Sequence, residues 1–236
     1  MRHCGQPEVD EPGVRGLLPT TANPRIRLLV TDDRAHDLVA ALLPKAHEGM
    51  INVFAAAARC AQFVDGCPAW KGEPATAMVC RDLRRVPTLS LPNELALRVV
   101  RRLAEDVPDG VPLEKAVAAA KLADPRIEDP PSVFADYLRS LPSTIRLFVA
   151  VDAAGVVRAT SGCGAFGTQA SVMFVNTDPN WRGRGIGQAM TAAALSAAQG
   201  LGAQHACLDA TDAGQSIYSR LGFEPVTQTT RFSPRR

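Results

Sequence analysis

Arg182-Gly183-Arg184-Gly185-Ile186-Gly187 is the stretch of this chain whose residue types and spacing point most directly to chemistry. It follows an apolar segment ending near Thr177 and opens a helix of about 185–200, with Ile186, Met190, Ala194, Ala197 and Leu201 on one face. Glycines let a backbone turn tightly and approach a ligand closely. The first helical turn leaves N–H groups without intrahelical partners, and the helix dipole there favours an anion. Arg182 and Arg184 add positive charge. The pattern predicts a pyrophosphate cradle. It is not the phosphate loop that ends in lysine and Ser or Thr, because those residues are missing.

A second cluster, Gly162-Cys163-Gly164-Ala165-Phe166-Gly167, spells G-x-G-x-x-G literally. A dinucleotide site needs a helix to begin there, so that its N-terminus meets the pyrophosphate. The chain runs instead into Gln169–Val175, whose pattern reads as a strand, so a glycine-rich hairpin is expected. Cys163 has no histidine near it in sequence and is read as structural; Cys207 is expected in the core. The six cysteines form no C-x-x-C pair and match no zinc template, so they are taken as reduced and mostly packed. The four histidines are scattered and no metal is expected.

The elements that must position the cradle follow from the apolar pattern. Residues 1–24, with four prolines and three glycines, are expected to form a disordered or loosely attached leader. Thr31 or Asp32 can cap a helix reaching Leu43, and Glu48 to Val64 has Met50, Phe54, Ala57 and Ala61 at helical spacing. Thr76–Cys80, Thr88–Leu91 and Leu95–Arg101 read as strands. Pro112 and Asp129-Pro130-Pro131 open two helices. Ile145–Val151 and Val156–Thr160 form a hairpin around Asp152-Ala153-Ala154-Gly155. His205–Asp209 is a strand, Asp212–Leu221 a short helix and Val226–Phe232 a last strand. The fold class is α/β (mixed, α+β type): a central mixed sheet flanked by helices, with a smaller N-terminal α/β extension at 25–93 and the main domain at 94–236.

Length and charge narrow the function. At 236 residues the chain can bury a substantial core in one large or two unequal domains. A net charge of +2, from 26 basic and 24 acidic residues, does not suggest a dedicated nucleic-acid or membrane-surface binder. No apolar run approaches the ~18 residues of a membrane span. A cytoplasmic location is expected.

The segment Val175-Asn-Thr-Asp-Pro-Asn-Trp-Arg-Gly-Arg-Gly-Ile-Gly187 resembles the acyl-CoA-binding motif of the GNAT N-acetyltransferase superfamily, Arg/Gln-x-x-Gly-x-Gly/Ala, here Arg182, Gly185 and Gly187. Ile217-Tyr218-Ser219-Arg220-Leu221-Gly222-Phe223 is similar to the family's second hallmark, a helix ending in tyrosine followed by Leu-Gly-Phe. The resemblance covers about residues 94–232. It leaves the N-terminal part unassigned, an extra subdomain or a degenerate half-copy of the fold.

The resemblance implies that acetyl-CoA lies in a V-shaped gap between the fourth and fifth strands of the core. Backbone groups of Val175 and Thr177 would pair with pantetheine, and an N–H near Val175 or Asn176 would polarise the thioester carbonyl. Gly183, Arg184, Gly185, Ile186 and Gly187, with Arg182 beside them, would hold the pyrophosphate. Tyr218 is the candidate general acid, since a phenol of ordinary pKa about 10 can protonate a departing thiolate. Asp209 is the nearest candidate base, followed by Glu224. Thr211 stands where many members have asparagine, and Gly214 where they have alanine; Thr211 is carried as a cofactor contact.

The sequence therefore predicts an acetyl-CoA-dependent N-acetyltransferase, with acetyl-CoA as cosubstrate and no metal. Its acceptor is a primary amine on a small molecule, with a peptide amine as second choice. No nucleic-acid or membrane partner is expected, and the chain is a monomer or homodimer. The rival is a non-catalytic acyl-CoA-binding sensor or regulatory module. A domain with a simple anion site and no CoA would require both motifs to be coincidental.

Overall fold

The computed structural model describes residues 8–11, 14–17, 26–30, 51–56, 70–101, 110–124, 130–141 and 144–234. In chain order the elements are β1 (Glu8–Glu11), β2 (Val14–Leu17), β3 (Ile26–Val30), β4 (Ile51–Ala56), β5 (Trp70–Cys80), β6 (Leu95–Arg101) and β7 (Val111–Pro112). Helices α1 (Leu113–Ala123) and α2 (Pro131–Ser140) come next, followed by β8 (Ile145–Asp152), β9 (Val157–Phe166) and β10 (Gln169–Thr177). Helix α3 (Ile186–Gly200), β11 (His205–Ala210), α4 (Asp212–Ser219) and β12 (Glu224–Pro234) complete the series. Contacts divide the chain into two units. The first comprises residues 1–77, 209–212 and 226–236; the second comprises 78–208 and 213–225.

In the second unit the strands run in the order β11-β10-β9-β8-β6-β7. Strands β8 and β9 are buried along almost their whole length, which is why they read as near-continuous apolar or small-residue runs rather than alternating ones. Their connection has the expected turn chemistry: Asp152 Oδ1 accepts from the Ala154 and Val156 N–H groups at 3.0 and 2.9 Å. Helix α3 buries Ile186, Ala189, Met190, Ala192, Ala194, Leu195 and Ala198. Its alanines favour the helix while keeping that face thin. Helices α1 and α2 form a second core, in which Leu113, Val117, Phe134, Tyr137 and Leu138 cluster with Ile145, Leu147 and Val149 of β8.

The literal G-x-G-x-x-G has a packing explanation. Gly162 and Gly164 lie inside β9, the first strand of the expected hairpin with β10, and its turn falls at Gly167, where φ is +61°. A Cβ on Gly162 would stand 2.6 Å from Leu147 Cδ2, and one on Gly164 would collide with Ile145 Cδ1. These glycines give β8 side chains room to cross the sheet face. Cys163 is wholly buried and its thiol is pushed up to about 11 by that burial, so it is inert.

In the first unit β1, β2 and β3 form an antiparallel meander, β3 pairs in parallel with β4, and β4 pairs antiparallel with β12. Several expectations are corrected here. Strands β1 and β2 stand within the segment read as a leader. The helix expected over Glu48–Val64 is replaced at Ile51–Ala56 by β4, whose apolar and β-branched residues find a ladder partner in β3. Helical spacing in a short apolar run is ambiguous until such pairing decides it. In the second unit, Thr88–Leu91 is not a strand: Pro87 and Pro92 bracket it, and proline donates nothing to a ladder. The helix expected from Thr31 or Asp32 to Leu43 lies outside the described residues. Cys207 is exposed rather than core, its thiol donating to the Ala170 carbonyl at 3.5 Å. Among the described residues, no helix is long and apolar enough to cross a membrane.

Candidate active site

Strand β10 carries the sharpest irregularity of the second unit. Its parallel pairing with β11 covers only Gln169↔His205, Ala170↔Ala206 and Ser171↔Cys207. Beyond Ser171, β10 runs on to Thr177 against β9 alone among the described residues. The C-terminal half of β10 thus lies beyond the parallel ladder with β11. Within that half the register with β9 slips between Met173↔Gly162 and Asn176↔Thr160, a bulge. Phe174 there has φ +55°, a left-handed conformation that a bulky residue rarely adopts. Its ring packs edge-on to Phe134 at 5.7 Å and Tyr137 at 6.4 Å, an aromatic contact that offsets the strain. The sequence reading missed the bulge. The signal present was the unbroken apolar run Val172-Met173-Phe174-Val175, which no regular half-buried strand shows.

From Thr177 the chain enters the predicted cradle through a 3-10 turn at Pro179–Trp181. Asp178, almost fully buried, starts the turn by accepting from the Asn180 N–H at 2.9 Å. Arg158 bridges Asp178 and Asp152 at 2.9 and 2.8 Å, and its guanidinium carbon lies 5.3 Å from the Trp181 ring centroid. The Val156 N–H first, and Arg158 with it, hold the Asp152 carboxyl below the usual carboxylate range. Arg158→Met should lower Tm at pH 7 by about 2–4 °C, because two carboxylates lose their shared cation. A depressed carboxyl stabilises the fold above its unfolded pKa of about 4 and loses that contribution as pH falls through the lower folded value. The Tm difference between wild type and variant should therefore shrink as pH drops below about 4. Thermal melts across pH check both statements.

Arg182 does not lie loose beside the cradle. Its Nε donates to the Thr177 carbonyl at 3.1 Å and its Nη2 to the Ala123 carbonyl at the end of α1 at 2.8 Å. It ties the strand, the loop and a helix C-terminus together, a position where a cation is also favoured. Gly183 and Gly185 have φ +77° and +74°, which only glycine adopts without strain, and a Cβ on either would meet no atom within 4 Å. The space before them is open. Gly185 is the N-cap of α3 and offers no side-chain cap, and the first turn carries no acidic residue. The first helical bond runs from the Ala189 N–H to the Gly185 carbonyl at 3.0 Å, so the N–H groups of Ile186, Gly187 and Gln188 precede the ladder. Arg184 lies over Trp181 at 4.8 Å, beside these donors. Uncapped donors, open space and cationic neighbours fit the pyrophosphate of an acyl-CoA.

Gly187 brings three elements together: a Cβ there would lie 3.6 Å from Thr177 Oγ1 and 3.7 Å from Ile217 Cδ1. Ile217 thus rests against the first turn of α3, and half-buried Tyr218 is the next residue of α4. The tyrosine ring stacks edge-on to Phe223 at 6.0 Å. Its carbonyl accepts from the Leu221 and Phe223 N–H groups at 2.9 and 3.1 Å, closing the helix around Gly222 at φ +86°. Leu221 and Phe223 are buried anchors. Val175, Asn176, Thr177, Arg182 to Gly187 and Tyr218 all fall in the second unit, whereas Asp209 and Thr211 fall in the first. Asp209 Oδ1 accepts from Thr229 Oγ1 at 3.3 Å. Among the described residues, no three His, Cys, Asp or Glu side chains gather as metal ligands.

The fold is a mixed α/β architecture, and solved structures share it. Residues 143–225 match the family model for the Acetyltransferase (GNAT) domain. A search of curated proteins gave no match. Among solved structures, the chain is similar to a GCN5-related N-acetyltransferase from Kribbella flavida, at 19% identity and TM-score 0.64 over 98% of this chain and 90% of that one. It is also similar to a GCN5-related N-acetyltransferase-like protein from Streptococcus suis, at 17% identity and TM-score 0.63 over 95% and 85%. A tandem GNAT protein from the clavulanic acid biosynthesis pathway matches at 18% identity and TM-score 0.55, over 93% and 77%. At these identities the likeness is one of fold.

Proposed function

We propose that the chain transfers an acetyl group from acetyl-CoA to a primary amine of a small molecule. The observation that carries this reading is the course of β10: it leaves β11 after Ser171, bulges at Phe174, and leads straight into the uncapped, open N-terminus of α3. When bound, acetyl-CoA supplies the activated acyl thioester. The backbone N–H groups of the first turn of α3, with Arg184 beside them, hold the pyrophosphate. Backbone groups of Val175 and Thr177 pair with the pantetheine arm, and an N–H at Val175 or Asn176 is aimed at the thioester carbonyl. The amine nitrogen forms the new C–N bond as the C–S bond breaks; the Tyr218 hydroxyl gives its proton to sulfur, and the proton that the nitrogen sheds returns through water to the tyrosinate. Positioning of the amine against the acyl carbon supplies much of the remaining rate. The test is release of CoA thiol from acetyl-CoA across a panel of amines. Amine-dependent release supports the transferase; tight binding without release from any amine makes the protein the acyl-CoA sensor instead.

We further propose that the first unit is a degenerate half-copy of the same fold. Its strands β1, β2, β3 and β4 repeat the antiparallel, antiparallel, parallel order of β8, β9, β10 and β11. The copies differ where a ligand would enter: β3 pairs with β4 along its whole length, from Ile26↔Ile51 to Val30↔Ala55. No gap is left there for a pantetheine arm, and no glycine follows β3 before Gly49. Native mass spectrometry with excess CoA should show one ligand per chain; a second specific adduct would contradict the closed copy.

A further inference from the structure

We propose that Thr160 is a positioning residue for acyl transfer, its hydroxyl holding the β10 bulge in the shape that aims the backbone at the acyl group. This rests on the transferase reading of the same site. Between Met173↔Gly162 and Asn176↔Thr160, Phe174 and Val175 stand opposite the single residue Ser161. A bulge of this kind takes backbone groups out of the ladder and re-aims them. The carbonyl so displaced is that of Phe174, and Thr160 Oγ1 donates to it at 2.7 Å. The same oxygen accepts from Asn176 Nδ2 at 3.5 Å, on the far side of the bulge. One hydroxyl, on a residue only 5% exposed, thus bridges both ends of the irregular stretch. The aromatic contacts of Phe174 with Phe134 and Tyr137 hold the side chain of the bulged residue, and the Thr160 hydroxyl holds its carbonyl.

Removing the hydroxyl favours return to a regular ladder, and a slip of one residue turns Val175, Asn176 and Thr177 to the opposite face. The cradle at Gly183–Gly187 is untouched, so the loss falls on the reacting end of the ligand. Thr160→Val keeps shape and volume, Thr160→Ser restores the hydroxyl, and Thr160→Ala removes it without a branched replacement. Steady-state kinetics with acetyl-CoA and a competent amine should show kcat lower by about 10–100-fold in Thr160→Val and Thr160→Ala, as expected for a small misplacement of reacting groups. KM for acetyl-CoA should stay within about threefold, and Thr160→Ser should recover most of kcat. A purely structural role would lower Tm and leave kcat alone; that result, or a Thr160→Ser variant as impaired as Thr160→Val, overturns the proposal. A second readout is independent of turnover. In the ligand-free protein, the amide resonances of Val175 and Asn176 should move in Thr160→Val and stay in Thr160→Ser. Unmoved resonances in Thr160→Val overturn the proposal, whereas a wild type inactive on every amine removes only the transferase reading.

Discussion

Gly185→Asp should weaken acetyl-CoA binding by at least about 100-fold while leaving the fold intact. Gly185 has φ +74° at the N-cap of α3, and Asp is among the few residues that tolerate the left-handed region. A Cβ there meets nothing within 4 Å, so the new side chain projects into the open space assigned to the pyrophosphate. Its carboxylate stands in front of the first-turn N–H groups. The ligand is kept from its donors and meets a like charge. Two charge-assisted hydrogen bonds of about 1.5–3 kcal/mol each account for the 100-fold, which corresponds to about 2.7 kcal/mol. Calorimetric titration of the variant, with a circular dichroism melt as the folding control, checks it. Affinity equal to wild type would remove the cradle assignment.

Tyr218→Phe should act on the other half of the reaction, lowering kcat by about 100-fold with KM for acetyl-CoA changed less than about threefold. General acid catalysis contributes about 10²–10⁴-fold where it operates. The substitution removes one oxygen and keeps the ring, so the edge-on contact with Phe223 and the backbone closure of α4 around Gly222 survive. A fall in kcat with KM preserved identifies an interaction made in the transition state. Retained kcat would mean that the Tyr218 hydroxyl is not the general acid.

The glycine turn and the start of α3 were legible in the sequence because their physics is local. Glycines at 183 and 185 are required by positive φ, and the uncapped turn that follows is a property of consecutive residues. The Leu-Gly-Phe closure of α4 was legible for the same reason. The bulge at Phe174 was not, because it depends on partners distant in sequence: the Thr160 hydroxyl and the rings of Phe134 and Tyr137. Arg182 was read as positive charge for the pyrophosphate; its tie to the Ala123 carbonyl on α1, 59 residues away, was not legible for the same reason. Strand β4 defeated the periodicity argument because helical spacing over Glu48–Val64 does not see strand pairing, and the six residues that form β4 carry too few positions to separate 3.6 from 2.0. Its pairing with β3 settles what spacing alone could not. Gly162 and Gly164 show the converse: a pattern that reads as a ligand loop can be a demand of packing, here against Leu147 and Ile145.

The central claim is that the open N-terminus of α3 takes an acyl-CoA. Calorimetric titration of the full chain with acetyl-CoA, CoA and a medium-chain acyl-CoA tests it most directly. The account predicts saturable binding of acetyl-CoA with a Kd on the order of micromolar, about −8 kcal/mol, at one equivalent per chain. Absence of binding for all three ligands would contradict it.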